Sequence, residues 1–228
     1  MSASDFSDIK ACVFDAYGTL FDVHSAVAHH RPRLGDAADK VSELWRTKQL
    51  QYTWLRSLMG RYVDFWQVTG DGLDYAFDAC GVDDPALRAD LMEAYRALDA
   101  YPEVPDVLRT LKEHGMTTAI LSNGSPEMLQ SATESAGIGG LLDAVLSVDE
   151  LRIYKPHPSV YELAVERLGV EAPGISFQSS NAWDAAAAAA VGFRVAWVNR
   201  FGQVRERIPA EPHAELRTLS ELPALVCR

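Results

Sequence analysis

The chain has 228 residues, 48% hydrophobic and 23% charged, with a formal net charge of −11; this is the composition of a soluble globular protein able to bury a core. No Lys/Arg cluster relieves the acidic balance, so nucleic acid is not an expected partner, and no apolar run approaches the ~18–20 residues that span a bilayer. Three cysteines, Cys12, Cys80 and Cys227, are odd in number and have no ligand-like spacing, so neither a disulfide framework nor a zinc site is indicated, which suits a reducing cytosol. The polar, acidic N-terminus is unlike a secretory signal, so a soluble, cytoplasmic protein is expected.

In chain order, the first predicted element is a strand over residues 9–14. Its continuous apolar run suits a strand buried on both faces of a parallel sheet. It ends in Asp15, followed by a turn around Gly18 and a hydroxyl at Thr19. Ligands of open α/β sheets bind beyond the carboxyl ends of the strands, so Asp15 stands where a reactive carboxylate would act as a nucleophile. Residues 21–100 contain no good strand. Val41, Leu44, Trp45, Tyr52, Leu55, Leu58 and Met59 fall instead at helical spacing. An all-helical cap over 21–100 is therefore expected, bounded by the turn after Leu20 and the Tyr101-Pro102 junction, with 1–20 and 101–228 forming the core.

Further strands are predicted at 117–121, 143–147, 175–178 and 194–198, separated by helical patterns, the signature of a parallel sheet with right-handed crossovers. Ser125-Pro126 supplies a hydroxyl N-cap with proline at the first helical position. Pro158 opens a helix that reaches Gly169, and Ser180 or Asn181 caps a segment, 182–191, containing six consecutive alanines, Ala185 to Ala190. Alanine is the best helix former and allows close approach to a sheet.

Phe14-Asp15-Ala16-Tyr17-Gly18-Thr19-Leu20 resembles the first motif of the haloacid dehalogenase superfamily, Asp-x-Asp-Gly-Thr in its phosphatases. Tyr17 replaces the second Asp, which in those enzymes protonates the leaving oxygen. Phe177-Gln178-Ser179-Ser180-Asn181-Ala182-Trp183-Asp184 matches the segment where the phosphatases carry Gly-Asp-x-x-x-Asp and hold magnesium, with Ser180 in place of the first acid. Both substitutions point to the L-2-haloacid dehalogenase branch, which needs neither metal nor another cofactor. The resemblance implies a Rossmann-like α/β core, a parallel sheet with helices on both faces, and a helical cap inserted after the first strand.

The resemblance also implies roles for individual residues. Leu44 to Tyr52 carries Arg46 as the cap arginine that assists halide departure, a suitable task for a permanently charged, multiple donor; Thr47 departs from the glutamine common in the family. In Leu121-Ser122-Asn123-Gly124, Ser122 holds the substrate carboxylate with Thr19, while Asn123 joins Arg46 and Trp183 on the halide side. In Tyr154-Lys155-Pro156-His157-Pro158, Lys155 sets its ammonium against Asp15, and Tyr161 matches a further active-site position. Ser179 positions Asp15, Asn181 supports that network, and Asp184 orients the hydrolytic water. Tyr17, Leu50, Phe65 and Trp183 form the apolar wall. A short L-2-haloalkanoate is the implied substrate and a homodimer the implied assembly. Alternatives are a same-branch hydrolase opening a strained 2-carboxylate ring, such as an azetidine-2-carboxylate hydrolase, a magnesium-dependent phosphatase, and a non-enzymatic binding protein on a degenerate core.

Overall fold

The computed structural model describes residues 6–227; the first five residues of the polar N-terminal stretch discussed above lie outside them. Six strands form one sheet: β1 (Ala11–Phe14), β2 (Thr117–Ser122), β3 (Ala144–Ser147), β4 (Ile175–Ser179), β5 (Arg194–Val198) and β6 (Ala214–Leu216). Their spatial order is β3-β2-β1-β4-β5-β6, and every adjacent pair is parallel. The first five match the predicted strands within a few residues. The sixth was not foreseen, because its three residues, Ala-Glu-Leu, are too few to register as a pattern. Strand β1 is buried along its whole length, as the apolar run requires.

From β1 the chain builds towards β3 on one side, then returns and builds towards β6 on the other. With right-handed crossovers this reversal puts the helices of the two halves on opposite faces, and it opens a crevice between the carboxyl ends of β1 and β4. The result is a Rossmann-like α/β fold.

Residues 21–100 carry five α-helices: α1 (Ser25–His29), α2 (Arg31–Leu34), α3 (Ala38–Met59), α4 (Phe65–Cys80) and α5 (Pro85–Arg96). At their base the chain closes on itself, with Tyr101 N–H donating to Leu20 O at 3.0 Å. In α3 the first half of the apolar stripe turns inward, burying Val41 and Trp45. The last turn does the reverse: Leu55, Leu58 and Met59 are 45%, 84% and 62% exposed.

The core helices are α6 (Val104–Glu113), α7 (Pro126–Ser135), α8 (Pro158–Leu168), α9 (Ala182–Val191) and α10 (Leu222–Val226). Ser125 caps α7 as expected, its Oγ accepting from Met128 N–H at 3.4 Å. Ala185, Ala186 and Ala188 are buried where α9 packs on β4 and β5, so the alanine run is packing surface. No helix among the described residues is long and apolar enough to cross a membrane.

One glycine is fixed by close approach. A Cβ on Gly124, just beyond β2, would come within 2.8 Å of Tyr17 Cε2 and 3.1 Å of Leu129 Cδ2. Gly124→Ala should therefore destabilise the fold by about 1–3 kcal/mol, the usual range for overpacking. Chemical denaturation checks this, and an unchanged midpoint would show that the Tyr17 ring yields freely.

Candidate active site

The crevice at the strand-order reversal collects side chains from distant parts of the chain. Asp15 follows β1, and its N–H donates to Gln178 O on β4 at 2.9 Å. The carboxylate is buried, 6% exposed. Its Oδ2 accepts from Thr19 Oγ1 at 3.0 Å and from Asn181 Nδ2 at 2.9 Å. Its Oδ1 accepts from Lys155 Nζ at 3.1 Å. Oδ2 thus has two donors and Oδ1 one, and a carboxylate oxygen has two in-plane lone pairs, so Oδ1 keeps accepting capacity in reserve.

Lys155 Nζ also donates to Asp184 Oδ2 at 2.9 Å, and the other Asp184 oxygen accepts from Tyr161 OH at 2.7 Å. Burial alone would lower the Lys155 pKa, yet the charges of Asp15 and Asp184 outweigh it and hold the ammonium above its ordinary value. Burial pushes the Asp184 carboxyl above the usual carboxylate range, with Lys155 opposing and Asp15 adding to the rise. Burial, reinforced by Asp184, likewise raises Tyr161 well above an ordinary phenol, which keeps it a hydrogen-bond donor.

The hydrogen bonds of two expected site residues centre on Asp15. Thr19 was expected to hold a substrate carboxylate, but its hydroxyl donates to Asp15 and accepts from Ser180 N–H at 2.8 Å, so its proton is committed to Asp15. Ser179 Oγ accepts from Asn181 N–H at 3.1 Å and so bears on Asp15 through Asn181. Asn181 is the N-cap residue of α9, yet its side chain makes no capping bond. Its amide instead donates to Asp15 and accepts from Arg46 Nη2 at 3.2 Å.

Arg46 reaches this centre from α3, its Nη2 also donating to Tyr17 O at 3.0 Å and its Nη1 to Gln49 Oε1 at 2.8 Å. Arg46, Leu50, Asn181 and Trp183 line a cavity of about 580 Å³. Trp183 and Lys155 border a second cavity of about 350 Å³, where Trp54 meets Trp183 edge-on at 5.3 Å. Tyr17 is buried among rings, 5.6 Å from Phe65 and stacked on Tyr95 at 5.6 Å. Phe65 therefore belongs to this ring cluster, whereas Leu50 faces the larger cavity. Ser122 Oγ accepts from Gly124 N–H at 3.1 Å, and Asn123 Oδ1 from Lys155 N–H at 3.0 Å.

Sequence reading overlooked several neighbours. Gln49 is buried on the same stripe of α3 as Val41 and Trp45; a polar residue interrupting that stripe was the available signal. Arg200, paired with Glu103, donates to Thr19 O at 3.0 Å and fixes the turn after β1 from behind. The two partners lie far apart in sequence, and no local pattern announces them. Among the described residues no group of three or more His, Cys, Asp or Glu side chains is placed to hold a metal ion.

Replacing Lys155 tests how far the centre depends on one ammonium. In Lys155→Met two buried carboxylates lose their shared counter-charge, which should cost about 3–5 kcal/mol at neutral pH. The Asp184 carboxyl, which burial already holds above its ordinary value, would lose the Lys155 charge that opposes the rise, so the deficit should shrink as pH falls and it protonates. In the parent protein the folded Lys155 value is the raised one, so its stabilisation is complete below the ordinary lysine range and is lost only as pH rises through the folded value. Unfolding of both proteins from acid to neutral pH checks the sign, and a deficit that grows on acidification would contradict it.

Comparison with known proteins agrees with this architecture. A family profile described as haloacid dehalogenase-like hydrolase matches residues 9–192. The chain is 48% identical over 221 residues to (S)-2-haloacid dehalogenase 1 of Pseudomonas sp. (strain CBS-3), covering 96% of this chain and 97% of that one. It superposes on a solved dehalogenase with intermediate complex at a TM-score of 0.96, with 44% identity and coverage of 97% and 99%. It also matches the L-2-haloacid dehalogenase of Xanthobacter autotrophicus with chloropropionic acid covalently bound, at a TM-score of 0.90, 39% identity and coverage of 96% and 98%. With the reversal of its parallel sheet, its buried Asp15 and a match running from before β1 to the end of α9, the chain belongs to the haloacid dehalogenase-like hydrolase family.

Proposed function

We propose that this protein hydrolyses short L-2-haloalkanoates to D-2-hydroxyalkanoates through an ester on Asp15, with inversion at C2 and without a metal ion. The observation that carries the proposal is the Asn181 amide, which joins the Asp15 carboxylate to the Arg46 guanidinium. A nucleophile and a permanent cation are thus held by one amide, an arrangement that suits displacement of an anion from carbon. The names of the similar proteins, and the covalently bound chloropropionic acid in one of them, support the same reading. So do Tyr17 and Ser180, which are neutral where phosphatases of the superfamily carry acids.

In this mechanism Asp15 Oδ1 attacks C2, and the halide leaves with the bonding electron pair towards Arg46, Asn123 and Trp183. Thr19, Asn181 and Lys155 hold the carboxylate for attack. Ser122, which accepts from Gly124 N–H and keeps its proton to donate, anchors the substrate carboxylate. Water then adds to the Asp15 carboxyl carbon, and the ester breaks to give the hydroxy acid and free Asp15. Asp184 fixes Lys155, with both of its oxygens engaged. Residues 21–100 act as a cap that keeps the carboxylate dry, because a hydrated carboxylate is a poor nucleophile.

Halide release from L- and D-2-chloropropionate, before and after exhaustive EDTA treatment, tests the reading. Chloride should appear from the L isomer alone and be indifferent to chelation. In a single turnover in ¹⁸O-water with enzyme in excess, the 2-hydroxy acid should be unlabelled and the Asp15 peptide should carry ¹⁸O. Labelled product with an unlabelled peptide would leave Asp15 as a base.

The assembly proposed is a homodimer, and the proposed location is the cytoplasm, consistent with three free thiols. Support for the dimer comes from the outward apolar end of α3, Leu55, Leu58 and Met59, beside the half-exposed Tyr75 of α4. Of the acidic residues at this edge, Asp71 and Asp74 are paired with Arg56 and Arg88, which limits the repulsion of a second copy there. Leu58→Glu should halve the mass measured by light scattering, and an unchanged dimer would place the contact elsewhere.

A further inference from the structure

Among the described residues the hydrogen bonds of the Arg46 guanidinium go to neutral acceptors, Gln49 Oε1, Tyr17 O and Asn181 Oδ1. The first of these is held in a way the mechanism above does not use. Gln49 is 1% exposed, and its Nε2 donates to Thr69 Oγ1 at 2.8 Å. Thr69 donates its single hydroxyl proton to Phe65 O at 2.7 Å, so towards Gln49 it can only accept. That fixes the orientation of the amide, with Nε2 towards Thr69 and Oε1 towards Arg46. Tyr95 OH donates to the same Oε1 at 3.1 Å. Burial raises the Tyr95 pKa, so the phenol keeps its proton and remains a donor. Helices α3, α4 and α5 thereby converge on one amide, whose oxygen is aimed at the guanidinium.

We infer that Gln49 is a positioning residue for carbon–halogen cleavage, a neutral acceptor that aims Arg46 while leaving its positive charge uncompensated for the departing halide. A carboxylate would fit the same space and bind Arg46 more strongly. It would also cancel the field the leaving anion needs. The glutamine amide supplies direction without opposing charge, and Tyr95 and Thr69 keep it from turning over.

This inference rests on the reading of Arg46 as the halide acceptor, and the experiment separates the two. Halide release is followed in single turnover, enzyme in excess, with chloroacetate and iodoacetate, for the parent protein, Gln49→Glu, Gln49→Leu and Arg46→Ala. Arg46→Ala sets the ceiling, since loss of a preorganised donor at a developing anion costs on the order of 10²–10³-fold in rate. Gln49→Glu, of the same shape, should slow chloride release by about 10–100-fold, below that ceiling. The loss should be smaller with iodoacetate, because iodide departs with less assistance. Gln49→Leu, which frees the guanidinium, should show the same leaving-group dependence. A merely structural role would slow both substrates equally. If Gln49→Leu does not fold, Gln49→Glu and Tyr95→Phe carry the test, the latter with a smaller loss of the same pattern. Chloride release at the parent rate by Gln49→Glu, or equal losses for the two halides, would overturn the inference. No halide release by the parent protein would instead overturn the reading of Arg46.

Discussion

A single buried ammonium holds this centre together. Lys155 lies between Asp15 and Asp184, and all three are at most 6% exposed. Two carboxylates this deep in the protein would repel one another and lose their hydration, and only a shared cation offsets both costs. The three residues come from the end of β1, the loop before α8 and the first turn of α9. The centre therefore forms only when the parallel sheet is complete, and the reversal of strand order between β1 and β4 is what brings these segments together.

Around that triad, side chains serve the site at the expense of local structure. Asn181 occupies the N-cap position of α9, where its amide would ordinarily satisfy a backbone N–H, but it is directed to Asp15 and Arg46 instead. Thr19 is held from two directions, by Ser180 N–H at its hydroxyl and by Arg200 at its carbonyl. Such departures from local preference are expected where function competes with stability. They also explain how one acceptor oxygen of Asp15 stays open while the other is fully bound.

Much of this was legible in the sequence, for identifiable reasons. Strand β1 is a continuous apolar run buried along its whole length, and the other longer strands hold enough apolar residues between turn residues to be read, although the edge strand β3 is only partly buried. The helical stretch between β1 and β2 was readable from its spacing. The direction of the α3 stripe was not, because periodicity finds a face without saying what covers it; Leu58 and Val41 obey the same pattern and meet opposite fates. The charged members of the site came from motifs, which fix identity and order. What each side chain does was less accessible. Thr19 spends its hydroxyl proton on Asp15 while Ser180 N–H, more than a hundred residues on, holds its oxygen, and Ser179 reaches Asp15 only through the neighbouring Asn181. Gln49 and Tyr95 were missed because an amide and a phenol on helices carry no motif until the helices are packed.

Tyr17 marks a chemical branch point and is also a structural part. Its ring is buried against Phe65 and Tyr95, and Gly124 is bare so that the ring can lie there. An aspartate at that position would restore the general acid of a phosphatase, but it would also open a void among aromatic rings and place a charge inside it. A single substitution at residue 17 would therefore not supply phosphatase chemistry, since the ring cluster would need repacking and Ser180 would still stand where the other acid is required. The aromatic packing thus ties the identity of residue 17 to the cost of repacking the core around it.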